Sequence, residues 1–255
     1  MSPRLRVVVT AGGTREPIDD VRHIRNVASG SLPAALAESL LARGAEVVYL
    51  HGPGAQLPGR LDPIEVAGLD AAMLQDLLEH HRKRAVDLQA RLAAGRLLLH
   101  PVATAAEAAS ALAGVCREVQ PTLVACAMAV ADFAPVPHAG KLGSTAGEAG
   151  LVLHLRPTAK AIDGVKAAAP GCRLLGFKLL SGAGVEGLAA AARHLAARAR
   201  CDWVFGNDMA DYRNGLRRGW LFAPDGSVLA PLGGDGRGDV RELAESLVES
   251  VLARR

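Results

Sequence analysis

The sequence is poor in aromatic residues, in paired cysteines and in long apolar runs. Only 3% of its 255 residues are aromatic, whereas half are hydrophobic, and glycine and alanine are abundant. The four cysteines form no Cys-x-x-Cys pair, which argues against a disulfide framework and against a structural zinc site. The composition is instead typical of closely packed βα units, neither disordered nor held together by disulfides.

The sequence also lacks a strong charge bias and any segment that marks a membrane partner. The formal charge is +3, from 29 basic and 26 acidic residues. The basic run at 80–84 is typical of a solvated helix face, so we expect no nucleic-acid partner. The apolar run within the opening residues MSPRLRVVVTAGG is too short for a signal peptide or a membrane span. We therefore expect a cytoplasmic protein with no membrane partner.

Alternating strand and helix patterns predict an α/β fold, a Rossmann-like, doubly wound and mostly parallel sheet with a flap or hairpin insertion. The β-branched run Arg4–Thr10 breaks into a glycine loop, and a helix at Pro33–Arg43 precedes a strand at Glu46–Leu50. This order forms a right-handed βαβ unit. We expect a single domain over residues 1–255, with the flap at about 133–155. The later elements predicted are helices at 71–94, 105–117, 158–168, 185–198 and 240–253, strands at 97–100, 122–128, 151–155, 173–177 and 202–206, a loop at 136–150, and a hairpin around 224–226.

The glycine loop that follows the first strand is a candidate binding element. Gly12 and Gly13 lie where backbone amides could approach a phosphate or a sugar, although a tight turn that requires positive φ is the alternative. A nicotinamide site would require GxGxxG and an acidic residue after the second strand, and both are missing. The Tyr-x-x-x-Lys pair of short-chain dehydrogenases and the Walker P-loop are missing too.

Charged residues after this loop and in a later segment indicate an anionic ligand. Three arginines and an asparagine occur in the polar stretch Arg15–Asn26, a composition that suits an anion, although solvated loop arginines are the alternative. The chain has only five lysines, and Lys141 lies among small residues at 140–144. A flexible ammonium there could close over a polyphosphate, or it could be an ordinary exposed lysine.

Taken in order, these motifs resemble the phosphopantothenate–cysteine ligase family of coenzyme A biosynthesis. TAGGTREPIDDVRHIRN is similar to the family signature TAGGTxEPIDxVRxIxN, and CAMAVADF, GKLGS, GFKLL and VFGNDM are similar to later family segments, so the resemblance covers residues 10–209. It implies a ligase that joins 4′-phosphopantothenate to L-cysteine. CTP or ATP, with Mg²⁺, would activate the carboxylate as an acyl-nucleotidylate and release pyrophosphate, and the cysteine amine would then displace the nucleoside monophosphate. The resemblance further implies a homodimer, and no flavin is expected because the chain begins at the ligase strand.

The resemblance also implies roles for individual residues. The catalytic candidates are Asn26, which matches an asparagine that contacts the activated acyl group, Arg22, which matches an arginine that reaches substrate across the dimer interface, and Lys141, which matches the flap lysine on the triphosphate. Ala129 and Asp132 match the segment that lines the phosphopantothenate site. No protein ligands to a metal are expected. The residues expected around the nucleotide are Gly12, Gly13, Gly30, Phe177 and Asn207, with Lys178 as a further phosphate contact.

Residues 26–33 depart from the family pattern Asn-x-Ser-Ser-Gly-x-Met-Gly at Ala28, Leu32 and Pro33, and two of these changes remove hydrogen-bonding groups. Ala28 removes a hydroxyl and Pro33 removes a backbone N–H, a loss of about 1–3 kcal/mol each if both groups bind phosphate. Proline is well tolerated in a first helical turn, so the fold is not affected. Two alternatives therefore stay open: a diverged enzyme of the same fold with another acid or amine substrate, and a regulatory nucleotide-binding protein without catalysis.

Overall fold

A twisted sheet of eight strands forms the centre of the molecule, and helices cover both of its faces. The computed structural model describes residues 4–59, 68–143 and 151–254. The strands are β1 (Arg6–Ala11), β2 (Arg15–Pro17), β3 (His23–Arg25), β4 (Glu46–His51), β5 (Leu97–Pro101), β6 (Leu123–Cys126), β7 (Phe133–Pro135), β8 (Leu155–Pro157), β9 (Arg173–Leu180), β10 (Trp203–Asp208), β11 (Gly219–Phe222) and β12 (Val228–Leu232).

The helices lie between these strands in the order that a doubly wound sheet requires. They are α1 (Ser31–Ala42), α2 (Ala71–Ala93), α3 (Ala105–Val119), α4 (Val165–Ala168), α5 (Gly184–Ala199), α6 (Met209–Arg213) and α7 (Val240–Leu252). Within the described ranges, no helix combines the length and the apolar character needed to cross a bilayer.

The strand order places a topological switch between β1 and β6. The order across the sheet is β12-β11-β10-β9-β6-β1-β4-β5. The six strands from β10 to β5 are parallel, and β11 is antiparallel to both of its neighbours, β10 and β12. The chain moves outward from β1 through β4 to β5 and then returns to β6 on the other side of β1. Open α/β sheets bind ligands beyond the carboxyl ends of their strands at such a point. The predicted Rossmann-like fold is confirmed, and the site is expected at this edge.

The core has two layers because successive side chains of a strand point to opposite faces. Val7 and Val9 of β1 pack with Leu40 of α1, whereas Val8 packs with Leu112 of α3 on the other face. All three valines are fully buried, which explains the continuous apolar run of a central parallel strand. Burial of one such side chain contributes about 1.5–3 kcal/mol. The rigid sheet thus fixes the positions of the loops at its edge.

Two of the predicted elements, around residues 151–168, are wrong. The strand expected at 151–155 is β8, which starts only at Leu155 and pairs antiparallel with β7. The helix expected at 158–168 is reduced to a 3-10 turn, Ala161–Gly164, followed by α4. The cause is Thr158, whose N–H donates to the Asp132 carbonyl (3.0 Å) and whose hydroxyl donates to the Ala131 carbonyl. These bonds keep the chain extended where the sequence predicts a helix.

The other local predictions agree more closely with the structure. Thr104 caps α3 as expected, since its hydroxyl accepts the Glu107 N–H at 3.2 Å. The Glu107 carboxylate accepts the N–H of Ala103 (2.8 Å), one residue before the cap. The loop expected at 136–150 is irregular over 136–143, and its residues 144–150 lie outside the described residues, as does part of the expected flap.

Candidate active site at the carboxyl edge of the sheet

Glycines allow three segments to pack closely beyond the end of β1. Gly12 and Gly30 have φ near +75°, a conformation that side chains rarely adopt. A Cβ on Gly13 would lie 2.6 Å from the Asn26 carbonyl oxygen, and one on Gly52 would lie 2.2 Å from the Gly13 carbonyl oxygen. Gly12 thus has the positive φ that the tight-turn alternative requires, and Gly30 has it as well, while at Gly13 close backbone packing leaves no room for a side chain.

Asn26 and Ala129, two of the predicted site residues, are in contact at the switch between β1 and β6. The Ala129 N–H donates to the Gly12 carbonyl (2.8 Å), and the Ala129 carbonyl accepts the Thr14 N–H at 3.3 Å. The same carbonyl accepts the Asn26 side-chain amide at 3.2 Å. Thr14 is fully buried, and its hydroxyl accepts the N–H of Ala131 (2.9 Å). The segment that follows β6 is thus attached to the glycine loop, with Asn26 exposed above it.

A cavity of about 170 Å³ opens beside this contact, at the ends of β1, β6 and β9. Its wall includes Thr10, Asp132, Phe177 and Lys178 together with apolar side chains from α3 and α5. The sequence analysis assigned Asp132 to the acyl substrate and Phe177 and Lys178 to the nucleotide. The structure places all three residues on the wall of one cavity. It therefore does not distinguish a subsite for the acyl substrate from a subsite for the nucleotide.

Two basic residues of this cavity were missed by the sequence analysis. The Lys160 ammonium forms a short ion pair with the Asp132 carboxylate, and Arg198 of α5 lines the cavity with its Nε 3.5 Å from an oxygen of Asp163. The rarity of lysine in the chain was the available signal for Lys160. Arg198 had no such signal, because its place at the cavity depends on how α5 packs on the sheet.

Arg22 and Lys141 lie in a second part of the site, where residues 136–143 pass the turn between β2 and β3. The Arg22 side chain lies 3.3 Å from Asp19 and donates to the Leu142 carbonyl. Asp19 is buried, and it accepts the Leu142 N–H at 3.0 Å. Lys141, between these anchored residues, is exposed to solvent. In this structure the Arg22 side chain therefore contacts Asp19 and Leu142 of its own chain.

Asn207 and Gly30 lie apart from the cavity. Gly30 precedes α1, and Asn207 is half-buried on β10, with Leu179 of β9 as its register partner. The next residue, Asp208, is buried and accepts the N–H groups of Ala210, Gly182 and Ala183 at 2.8–2.9 Å. These hydrogen bonds hold the pKa of Asp208 below its usual value, and the bonds from Ala210 and Gly182 have the largest effect. Asp208 fixes the loop between β9 and α5, at the same edge of the sheet.

One cysteine, Cys126, lines the cavity at this edge of the sheet. The four cysteines are free thiols, and burial raises the pKa of Cys126, which lines the cavity, well above its usual value. Within 4–59, 68–143 and 151–254, no three His, Cys, Asp or Glu side chains lie close enough together to hold a metal ion.

The chain matches the family described as DNA/pantothenate metabolism flavoprotein C-terminal domain over residues 3–94 and 86–219. It belongs to that family. A protein of Thermococcus kodakarensis named coenzyme A biosynthesis bifunctional protein CoaBC is 31% identical over 246 residues, which are 96% of this chain and 50% of that protein. The CoaBC protein of Escherichia coli K12 is 47% identical over 49 residues, 19% of this chain and 12% of that protein. The chain thus spans half the length or less of these relatives.

Two solved structures share the fold of this family domain. A DNA/pantothenate metabolism flavoprotein from Streptococcus pneumoniae superposes with a TM-score of 0.73 at 23% identity, covering 98% of this chain and 100% of that one. A Cab2 variant in complex with phosphopantothenate-cysteine superposes with a TM-score of 0.81 at 22% identity, covering 98% and 86%. The family resemblance and the fold are confirmed, while the roles of individual residues stay predictions.

Proposed function

We propose that this family domain is a phosphopantothenate–cysteine ligase of coenzyme A biosynthesis. It would join 4′-phosphopantothenate to L-cysteine through an acyl-nucleotidylate, with CTP or ATP as co-substrate and pyrophosphate as the first product. Family membership and the CoaBC relatives support this assignment. The observation that carries it is the hydrogen bond between Asn26 and Ala129 at the β1/β6 switch, next to a cavity with several basic side chains.

The basic cavity suits the nucleotide in this proposal. Lys160, Lys178 and Arg198 all reach it, and fixed cations beside a triphosphate stabilise the charge that develops when pyrophosphate leaves. Mg²⁺ enters bound to the triphosphate and is therefore part of the substrate. The family resemblance assigns Asp132 to the acyl substrate, which would then share this cavity with the nucleotide, while Lys141 would approach the phosphates from the flap.

Asn26 is positioned to act on the acyl group at the switch. Its amide uses one N–H for the Ala129 carbonyl, and the second N–H and the carbonyl oxygen keep further hydrogen-bonding capacity. An amide fixed in this way can orient the carboxylate toward the α-phosphate and later hold the activated acyl group for the cysteine amine. Orientation of this kind supplies much of the rate enhancement in transfers that need little covalent chemistry from the protein.

The assembly and the compartment belong to the same proposal. We infer a homodimer in the cytoplasm, in which Arg22 of one protomer reaches across the interface to the substrate of the other. The contacts of Arg22 with Asp19 and Leu142 leave its side chain 37% exposed, so one edge of the guanidinium can still meet a ligand or a second copy.

The decisive experiment measures pyrophosphate release by the purified chain with Mg²⁺, 4′-phosphopantothenate and either CTP or ATP, with and without cysteine. Mass spectrometry follows the products. Cysteine-dependent formation of phosphopantothenoylcysteine establishes the ligase and identifies its nucleotide. In Asn26→Ala the acyl-nucleotidylate should form poorly or decay without product. No pyrophosphate from a folded protein with either nucleotide would refute the proposal.

A regulatory nucleotide-binding protein is the second candidate, favoured by Ala28 and Pro33 at the start of α1. Both replace groups that could bind a phosphate oxygen, and both lie next to Gly30. This candidate predicts that CTP or ATP binds, as measured by calorimetry, while neither pyrophosphate nor an acyl-nucleotidylate appears. Turnover with any acid and amine would exclude it.

A further inference from the structure

The carboxylate of Asp19 connects two parts of the chain that are more than one hundred residues apart. One oxygen accepts the N–H groups of Val21 (2.9 Å) and Arg22 (2.7 Å), which closes the turn between β2 and β3. The other oxygen accepts the Leu142 N–H at 3.0 Å. The Asp19 side chain has no exposed surface. One buried group therefore defines the local turn and holds the segment that carries Lys141.

Further contacts anchor the same segment on both sides of Lys141. On one side, Gly140 donates its N–H to the Asp20 carboxylate (3.1 Å) and accepts the Asp20 N–H at 3.4 Å. On the other side, the Leu142 carbonyl accepts a guanidinium N–H of Arg22. Both neighbours of Lys141 are thus fixed to residues 19–22, and only the Lys141 side chain is left to move in solvent.

The ionised form of Asp19 is the one that makes these contacts. Burial alone would raise the pKa of the Asp19 carboxyl, but three backbone N–H donors and the Arg22 guanidinium more than offset that effect and hold the pKa below its usual value. A carboxylate offers several acceptor sites, whereas the amide of an Asn side chain offers one oxygen and two donors. Asn at position 19 can therefore close the turn but cannot also accept the Leu142 N–H.

We propose that Asp19 is a positioning residue: it fixes the backbone on which Lys141 stands and thereby sets where the Lys141 ammonium meets the phosphates. The role of Lys141 rests on the proposed function, whereas the attachment of Leu142 to Asp19 does not. An ammonium held on a fixed backbone loses less entropy when it reaches a transition state than one on a free loop. Asp19 would therefore act on the rate through Lys141, without touching the nucleotide.

Hydrogen–deuterium exchange on the whole chain tests the attachment without any substrate. In Asp19→Asn, the Leu142 amide should exchange roughly ten- to hundredfold faster, as expected for the loss of one hydrogen bond to a charged group. Asp208→Asn is the matched control, since Asp208 is equally buried and also accepts backbone N–H groups. It should speed exchange around Gly182 and leave Leu142 unchanged. Equal protection of Leu142 in Asp19→Asn and in the parent chain would overturn the proposal.

A double-mutant cycle then tests whether Asp19 acts through Lys141. Asp19→Asn should lower kcat for pyrophosphate release by about tenfold or more, with a smaller change in KM. In a Lys141→Ala background the same substitution should have little further effect, because coupled residues are not additive. An equal fold-loss in both backgrounds would show a merely structural role and overturn the inference.

Leu142→Pro provides a second route if Asp19→Asn does not fold. It removes the N–H that reaches Asp19 and leaves the turn at residues 19–22 intact, although it also fixes φ at 142 and restricts the backbone of Lys141. The same loss of kcat and the same coupling to Lys141 are expected, and unchanged turnover would count against the proposal. If the parent chain releases no pyrophosphate with either nucleotide, the ligase assignment fails while the exchange measurement still decides whether Asp19 holds Leu142.

Discussion

Gly13→Ala is the substitution that tests the packing of the glycine loop most directly. Gly13 has no positive φ, so alanine adds a methyl group without backbone strain. The Cβ would stand 2.6 Å from the Asn26 carbonyl oxygen, whereas ordinary contacts begin near 3.4 Å. The nearest atoms of Asn26 are backbone atoms and cannot rotate away. Either the loop or the Asn26 segment has to move by about 0.8 Å to reach that contact distance.

This displacement should harm activity more than it harms stability. Overpacking of this kind costs about 1–3 kcal/mol, which corresponds to a fall in Tm of roughly 2–10 °C for a chain of this size. The Asn26 amide is already 3.2 Å from the Ala129 carbonyl, and a shift of this size breaks that contact. Misplacement of a reacting group by about 1 Å can lower a rate by about a hundredfold. We therefore expect kcat/KM to fall by that order in a protein that still folds.

Thermal unfolding and pyrophosphate release, measured on the same preparations, check both parts of this prediction. Gly114→Ala is the control, because a Cβ on this helical glycine of α3 meets nothing within 4 Å. It should raise the stability by up to about 1 kcal/mol, as alanine does in a helix, and leave turnover unchanged. Parent-like Tm and turnover in Gly13→Ala would refute the close packing of Gly13 against Asn26.

Three further substitutions address charge. Lys141→Ala should raise the activation free energy of pyrophosphate release by about 2–4 kcal/mol. Lys83→Ala, which removes an exposed lysine on α2, is the control and should leave that rate unchanged. Equal steady-state rates in Lys141→Ala and the parent chain would show that Lys141 has no part in the mechanism. Lys160→Met should weaken nucleotide binding, measured by calorimetry, because it removes a positive charge from the cavity and leaves the Asp132 carboxylate without its ion-pair partner. Unchanged affinity would show that the phosphates bind elsewhere. Asp208→Asn should lower the free energy of unfolding at pH 7. The pKa of the Asp208 carboxyl in the folded protein is below its ordinary value of 3.8, so its contribution to stability is present above pH 3.8 and is lost as the pH falls through the lowered pKa. The free energies of unfolding of the two proteins, measured in urea, should therefore become equal at that low pH. A difference that does not change with pH would contradict the assignment.

The central strands and long helices could be predicted because their side-chain patterns are local. The three consecutive valines at 7–9 form the apolar run of β1, as a strand buried on both faces must. The strands β2, β3, β7 and β8 have three residues each, too few to show a period. Their positions depend on contacts that the local sequence does not record, such as the bonds of Thr158 to the segment after β6.

The candidate site was predictable as a set of motifs but not as an arrangement. The fold brings Asn26 to Ala129 because both lie against the glycine loop that follows β1: Ala129 bonds to Gly12, and the Asn26 backbone packs on Gly13. The partners of Asp19 at Leu142 and of Asp132 at Lys160 lie 123 and 28 residues away in the sequence. No spacing rule links residues so far apart on irregular segments. Each pairing forms only in the folded chain, where residues 136–143 lie against the turn at 19–22 and Lys160 lies beside the segment that follows β6.

The start of α1 shows how the departures at Ala28 and Pro33 affect phosphate recognition. Helix N-termini bind anions through the free N–H groups of the first turn. Here the Ser31 N–H points to the Ser29 hydroxyl at 3.3 Å, and Pro33 has no N–H to offer. Among the described residues, this turn therefore offers a phosphate fewer N–H donors than the family pattern does. The basic side chains of the cavity on the other side of β1 would supply further contacts to a triphosphate, so a nucleotide-dependent reaction is compatible with both substitutions.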